Sequence, residues 1–305
     1  MKFDNADQLK SFLKKESKRL NISIRNVYST YFGRELLYRL SKHNKEDILL
    51  KGSAAEITYL GTLTRAITDI DLASINGYNE AMPVLIESIN DNSDSSIIYN
   101  LTNHISRTNT GIYKLSLESR FGKINQHIGI DFQDHYNRLI EPQTRIMPPI
   151  FEGDEPFEVY VPSYEEYLAD KLCIVVESNK VDVLNTRVKD FYDIYQLHGG
   201  KYDASLLTEY FKKMIVLRGR IKLEDVDTFM LNREFIQKHQ EIWESTKEKY
   251  DFLDKEIDLE GAVYYTRGVL REQLQKSGQE MIEKSGIQYQ KKWYQIWHHK
   301  LFLLK

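Results

Sequence analysis

The chain has 305 residues, of which 41% are hydrophobic and 29% charged, with 42 Lys and Arg against 45 Asp and Glu for a net charge of −3. This is the composition of a soluble globular protein with a sizeable core in two packed parts; no apolar run nears the roughly 20 residues needed to span a bilayer. Near-balanced charge leaves any nucleic-acid contact to local clusters of Lys and Arg, while the lack of an apolar signal core and a single cysteine, Cys173, point to the cytoplasm.

In chain order, Ala6 to Leu20 carries Leu9, Phe12, Leu13 and Leu20 at helical spacing among lysines, and Val27 to Lys42 repeats the pattern. A short apolar strand from Ile48 then runs into Gly52-Ser53 at the start of a helix reaching Tyr59 or Leu60. After a loop, Asp69-Ile-Asp71-Leu72 reads as a strand. Glu80 to Asn90 has Met82, Leu85, Ile86 and Ile89 on its expected inner face and ends in a polar run. Ile97 to Asn100, Tyr113 to Glu118 and Gln126 to Phe132 read as strands that complete the sheet. Five of the six prolines fall between Pro142 and Pro162, which predicts a connecting arm. Ala204 to Leu217, Asn232 to Asp251 and Leu259 to Ser277 are expected helices. The whole predicts an α+β fold, with a mixed sheet flanked by helices in residues 1–150, a helical domain in residues 151–305, and a cleft at their junction.

The chemistry concentrates between Ile48 and Leu72. Gly52 lets the backbone approach a polyphosphate, and Ser53 adds a hydroxyl at a helix N-terminus, where unpaired N–H groups favour an anion. Side chains alternate along a strand, so Asp69 and Asp71 share one face about 7 Å apart, while Ile70 and Leu72 point to the core. Two such carboxylates repel unless a cation lies between them, and a hard divalent ion with oxygen preference, magnesium, suits the site. Alone, Asp-x-Asp can be a surface turn; the ordered string of strand, Gly-Ser, helix, loop and Asp-x-Asp strand points to a nucleoside triphosphate and its metals. In Ile128-Gly-Ile-Asp131-Phe132, Asp131 faces away from Ile130 and Phe132 and would join the pair if its strand lies beside that of Asp69. Asp134 is the competing candidate.

These residues resemble the nucleotidyltransferase-fold toxins of the AbiEii/AbiGii type, MenT-like enzymes among them. The likeness runs from Leu50-Lys-Gly-Ser and Asp69-Ile-Asp71-Leu72 through the Asp131 strand. It continues through Pro162-Ser-Tyr-Glu-Glu-Tyr-Leu-Ala-Asp170-Lys171-Leu to Arg187-Val-Lys-Asp190-Phe-Tyr-Asp193-Ile, and the helix from Phe32 to His43 also fits. It spans residues 6–200, although the loop between Ser53 and Asp69 is longer than in polymerase-like members of the superfamily. The resemblance implies catalytic Asp69, Asp71, Asp131, Lys171 and Asp190, with metal on the first three. It further implies nucleotide contacts from Gly52, Ser53, Arg65, Lys171 and Arg187.

By pattern alone Lys171 reads as a solvated lysine. Its neighbours Leu168, Leu172 and Ile174, on a helix that opens with a Ser163–Glu166 capping box, set it near the buried face. Arg187, Asp190 and Asp193 share a helical face and could be an ordinary intrahelical ion pair of about 0.2–0.5 kcal/mol; the resemblance makes Asp190 essential, orienting Lys171 or holding nucleotide. Arg65 suits a phosphate contact or a loop-anchoring salt bridge equally. Asp170 is expected at the surface.

By resemblance the protein is the toxin of a two-gene toxin–antitoxin, abortive-infection system. It would use two magnesium ions to move NMP from an NTP, GTP or CTP, to an acceptor, the 3′ end of tRNA. Its partner would be a cognate AbiEi-type antitoxin that need not touch it. A nucleotide-binding regulator without turnover and an aminoglycoside adenylyltransferase remain open. The tail from Lys284 to Lys305 holds five lysines and no carboxylate around Tyr289, Trp293, Tyr294 and Trp297. It suits RNA stacking, but its spacing better fits an amphipathic helix packed on the protein. The eight histidines lack metal-ligand spacing, and neither a nucleophile elbow nor a Walker P-loop is present.

Overall fold

The computed structural model describes residues 3–44, 46–93, 96–102, 106–108, 111–134, 141–179, 187–249 and 253–276. The tail from Lys284 to Lys305 lies outside them. Two helices open the chain, α1 (Ala6–Leu20) and α2 (Ile24–His43). Asn5 caps α1 by accepting from the amides of Asp7 and Gln8, and Ser23 caps α2 through Asn26. The α1 bounds match the sequence prediction, and Leu9 and Leu13 are its buried stripe.

Strand β1 (Ile48–Leu50) leads to α3 (Gly52–Leu60), β2 (Asp69–Ser74) and α4 (Tyr78–Asn90). Then come β3 (Ile98–Leu101), β4 (Ser106–Arg107), β5 (Ile112–Phe121) and β6 (Ile124–Gln133). The main sheet runs β1-β2-β6-β5-β3, with β4 paired to β5. Among the described residues its one parallel pair is β2 with β6; the others are antiparallel. One face of the sheet packs on α2 and α4 through Ile70, Leu72, Leu115, Leu117, Ile130 and Phe132, all buried.

Sequence reading errs at two points. On α4, Met82, Leu85 and Ile89 are buried, but Ile86 is 43% exposed, one position past the inward stripe. The proline-rich stretch, expected as a connecting arm, is strand-forming: β7 (Gln143–Met147) and β8 (Phe157–Val161) form a two-stranded antiparallel sheet. Pro142, Pro148, Pro156 and Pro162 stand immediately outside these strands, where a missing N–H breaks no ladder bond. Tyr160 of β8, with Ile75, covers Leu49 and Ala73, so β1 is buried on both sides.

The remainder is helical, with α5 (Tyr164–Asn179), α6 (Val188–Gln196), α7 (Ala204–Arg218), α8 (Arg233–Lys249) and α9 (Leu259–Lys276). One continuous core reaches from Leu9 to Leu274, joining the sheet helices to these five. Among the described residues no helix is long and apolar enough to cross a membrane.

Ile130 is fully buried on the strand that also carries Asp131. Ile130→Ala is expected to lower unfolding stability by about 2–5 kcal/mol, read as a shift of the denaturation midpoint.

Candidate active site

The backbone between β1 and α3 bends at Gly52, where φ is +58°. The Lys51 amide donates to the Asp71 carbonyl at 2.8 Å, pinning the bend to β2. A Cβ on Gly52 would lie 1.8 Å from Asp71 Oδ2, so both the conformation and the close approach demand glycine. Lys51 makes no side-chain cap, which leaves the first amides of α3 without a side-chain acceptor from that residue, while Ser53 is buried in the same turn.

Asp71 and Asp131 are register partners across the parallel β2–β6 pair, and Asp69 stands opposite Gly129. All three aspartates therefore occupy the sheet face opposite Ile70, Leu72, Ile130 and Phe132. Asp69 is exposed, and Asp71 and Asp131 are half-buried. A Cβ on Gly129 would meet nothing within 4 Å, so the floor beside Asp69 is open. Thr68 donates to Asp69 at 3.0 Å, and Lys114 reaches Asp131 at 3.3 Å. Burial, then the neighbouring Asp69, push the Asp71 carboxyl above its ordinary pKa, with Asp131 adding to this and Lys51 and Lys171 opposing it. An all-oxygen set with surplus negative charge fits a hard divalent cation. Among the described residues, however, no three Asp, Glu, His or Cys side chains are gathered tightly enough to hold a metal by themselves.

Beside this face lies a buried ionic network. Lys171 on α5 contacts Asp190 at 3.0 Å and Asp193 at 2.6 Å, both from α6. Arg65, in the loop before β2, reaches Asp193 at 3.1 Å and is 9% exposed, so its charge is met inside the protein. Arg187 pairs with Asp190 at 2.8 Å as an i,i+3 contact, but Asp190 also faces Lys171. Burial favours a neutral Lys171, yet Asp193 and Asp190 outweigh it and hold the ammonium charged above its ordinary pKa. For Asp193, the attraction of Arg65 and Lys171 overcomes burial and keeps its pKa below the usual value.

Asp134, the competitor to Asp131, instead accepts from the Tyr78 amide at the start of α4 and from Arg107, each at 2.9 Å. Asp170 pairs with Arg218 at 2.7 Å. Sequence reasoning passed over Glu56, which is fully buried on α3 and accepts from Thr64 at 3.0 Å. It also passed over Tyr167, whose hydroxyl lies 3.1 Å from the Gly52 carbonyl oxygen and 3.2 Å from Glu56. The lone acid in the otherwise uncharged run Gly-Ser-Ala-Ala-Glu-Ile-Thr-Tyr-Leu was the available signal. Lys51, which reaches Gln133 at 2.9 Å, was named within the Leu50-Lys-Gly-Ser motif but given no role.

The profile described as nucleotidyl transferase AbiEii toxin, type IV toxin–antitoxin system, matches residues 35–265, and the chain belongs to that family. Among solved structures it is similar to MenT4, a nucleotidyltransferase toxin from Mycobacterium tuberculosis H37Rv. That match has TM-score 0.62 and 14% identity, over 87% of this chain and 89% of that one. JHP933 from Helicobacter pylori aligns with TM-score 0.49 and 15% identity, over 93% of this chain and all of that one. At 14% identity the likeness to MenT4 is one of fold. No curated protein sequence matches the chain.

Two stability outcomes follow from the charges. Lys171→Met leaves Asp190 and Asp193 buried with their shared cation gone, and is expected to cost about 3–5 kcal/mol in denaturant unfolding. Asp71→Asn is expected to raise Tm at neutral pH in the presence of a chelator, because it removes a carboxylate whose charged form folding disfavours. That gain is full where Asp71 is ionised in both states. It fades as pH falls through the raised folded pKa, and is gone below the unfolded value of about 3.9.

Proposed function

We propose that this toxin transfers NMP from an NTP, GTP or CTP, to the 3′ end of tRNA in a magnesium-dependent reaction. The observation carrying this reading is the Gly52 bend seated against Asp71 with Asp131 alongside: a helix N-terminal turn touching a carboxylate pair. In this reading the amides of Gly52 and Ser53 receive the triphosphate. Lys171, kept charged by Asp190 and Asp193, adds positive potential beside the leaving phosphates, and Arg187 flanks the nucleotide. Arg65 contributes by holding Asp193 in place. Asp131 orients the acceptor hydroxyl and takes up its proton.

Asp69, Asp71 and Asp131 would hold magnesium, whose Lewis acidity neutralises charge developing at the α-phosphate. Magnesium is commonly bound by one or two carboxylates together with substrate phosphates, a habit that would suit three acids sharing a face without closing into a cage. In this reading the N-terminal half supplies the carboxylates and the C-terminal half Lys171 and Asp190. The protein acts in the cytoplasm, limits phage growth by arresting the infected host, and is countered by a cognate AbiEi-type antitoxin.

The test incubates the protein with each labelled NTP, magnesium and total cellular RNA. Label is expected in the tRNA fraction and should fall at least about 100-fold with Asp69→Ala or Asp71→Ala, variants that should also relieve growth arrest on expression. Equal toxicity of wild type and variants, or labelling of an aminoglycoside in place of RNA, would overturn it.

A further inference from the structure

Tyr167 has one hydroxyl proton and two oxygens within its reach, the Gly52 carbonyl at 3.1 Å and Glu56 Oε2 at 3.2 Å. A carbonyl only accepts. With the tyrosine proton on the Gly52 carbonyl, the Glu56 contact has a proton of its own only when Glu56 is protonated and donates to Tyr167 Oη; an ionised Glu56 would have to share the single tyrosine proton with the carbonyl in a weaker three-centre bond. Thr64 Oγ1 donates to the other carboxyl oxygen at 3.0 Å, so a protonated Glu56 has both oxygens partnered.

Charge balance leads to the same state. In the interior, Arg65 and Lys171 are matched by Asp190 and Asp193, and an ionised Glu56 would be a third carboxylate against two cations. Arg187 does not restore the balance, since its side chain is 55% exposed and engages Asp190 from outside. The ionisable groups around Glu56 are Arg65 from the loop, Tyr164, Tyr167 and Lys171 from α5, and Asp193 and Tyr192 from α6. Tyr59 of its own helix also faces it, beneath Arg145 of β7. Burial and then Asp193 push the Glu56 carboxyl up to about 8, against the pull of Arg65 and Lys171.

We propose that Glu56 is a positioning residue that works as a neutral carboxylic acid: by donating to Tyr167 Oη it directs the tyrosine's own proton to the Gly52 carbonyl and so holds the bend in its phosphate-receiving shape. The proposal rests on the reading of the Gly52–Ser53 bend as the triphosphate seat. When Glu56 loses its proton to solvent, the Tyr167 hydroxyl turns to the carboxylate and the Gly52 carbonyl loses its donor. NTP affinity then falls with the neutral fraction of Glu56. Glu56→Gln keeps one donor and one acceptor at the same reach, without the ionisation.

The experiment measures binding of each NTP, with magnesium, to the full chain by calorimetry from about pH 6.5 to 9.5. Wild type and Glu56→Gln are expected to agree within about threefold at pH 7, and wild type to be about tenfold weaker than Glu56→Gln by about pH 9, where about a tenth of Glu56 retains its proton. Tyr167→Phe should bind weakly throughout, and adding Glu56→Gln to it should change nothing once the tyrosine proton is gone. Infrared spectroscopy provides a second readout that needs no ligand: a protonated-carboxyl band at neutral pH, absent from Glu56→Gln and lost on raising pH through about 8. Parallel pH profiles in wild type and Glu56→Gln, weak binding by Glu56→Gln at neutral pH, or absence of the band would overturn the role of Glu56. Failure of wild type to bind any NTP at any pH would instead overturn the triphosphate seat, leaving the band to decide the state of Glu56 alone.

Discussion

The parallel pairing of β2 with β6 is the constraint on which the site depends. Its register sets Asp71 directly beside Asp131, and Asp69 one pleat away on the same face. Like charges so placed repel, and the raised pKa of Asp71 registers that repulsion together with burial. The pairing survives because the same two strands bury Ile70, Leu72, Ile130 and Phe132 on their other face. Each fully buried apolar side chain contributes about 1.5–3 kcal/mol, enough together to outweigh the carboxylate repulsion.

The ionic network fixes a different relation, that of the C-terminal helices to the sheet. Asp190 and Asp193, one helical turn apart on α6, converge on the single ammonium of Lys171 from α5, and Asp193 also engages Arg65 from the loop before β2. Buried pairs of this kind add little net stability because desolvation offsets attraction, but losing one partner is costly, so they specify geometry. A cation held in that way is fixed in place by the fold itself. Tyr167 links the network to the Gly52 bend: the Lys171 ammonium lies over its ring, 5.7 Å from the centroid, and its hydroxyl reaches the Gly52 carbonyl.

Much of this was legible from local pattern. Leu9 and Leu13 at helical spacing defined α1 to the residue, and the alternation in Asp69-Ile-Asp71-Leu72 separated the acidic face from the core. The family resemblance drew attention to Lys171 and Asp190, which composition alone left as surface charges, and they lie in contact. Counting prolines misled, because their spacing carries the information: they bracket two five-residue strands. Glu56 was missed because a single glutamate in a helix is ordinary until its surroundings are known to be closed to water.

Sequence by itself determined what depends on near neighbours: helix periodicity, the two-residue alternation of the β2 aspartates, and a glycine where the chain must turn with positive φ. Tertiary structure alone decided which charges meet, because the partners of Asp71, Lys171 and Arg65 lie far along the chain, brought in by sheet register and helix packing. A side chain's charge state depends on the dielectric and the partners that folding provides, and those do not exist until the chain has closed around it.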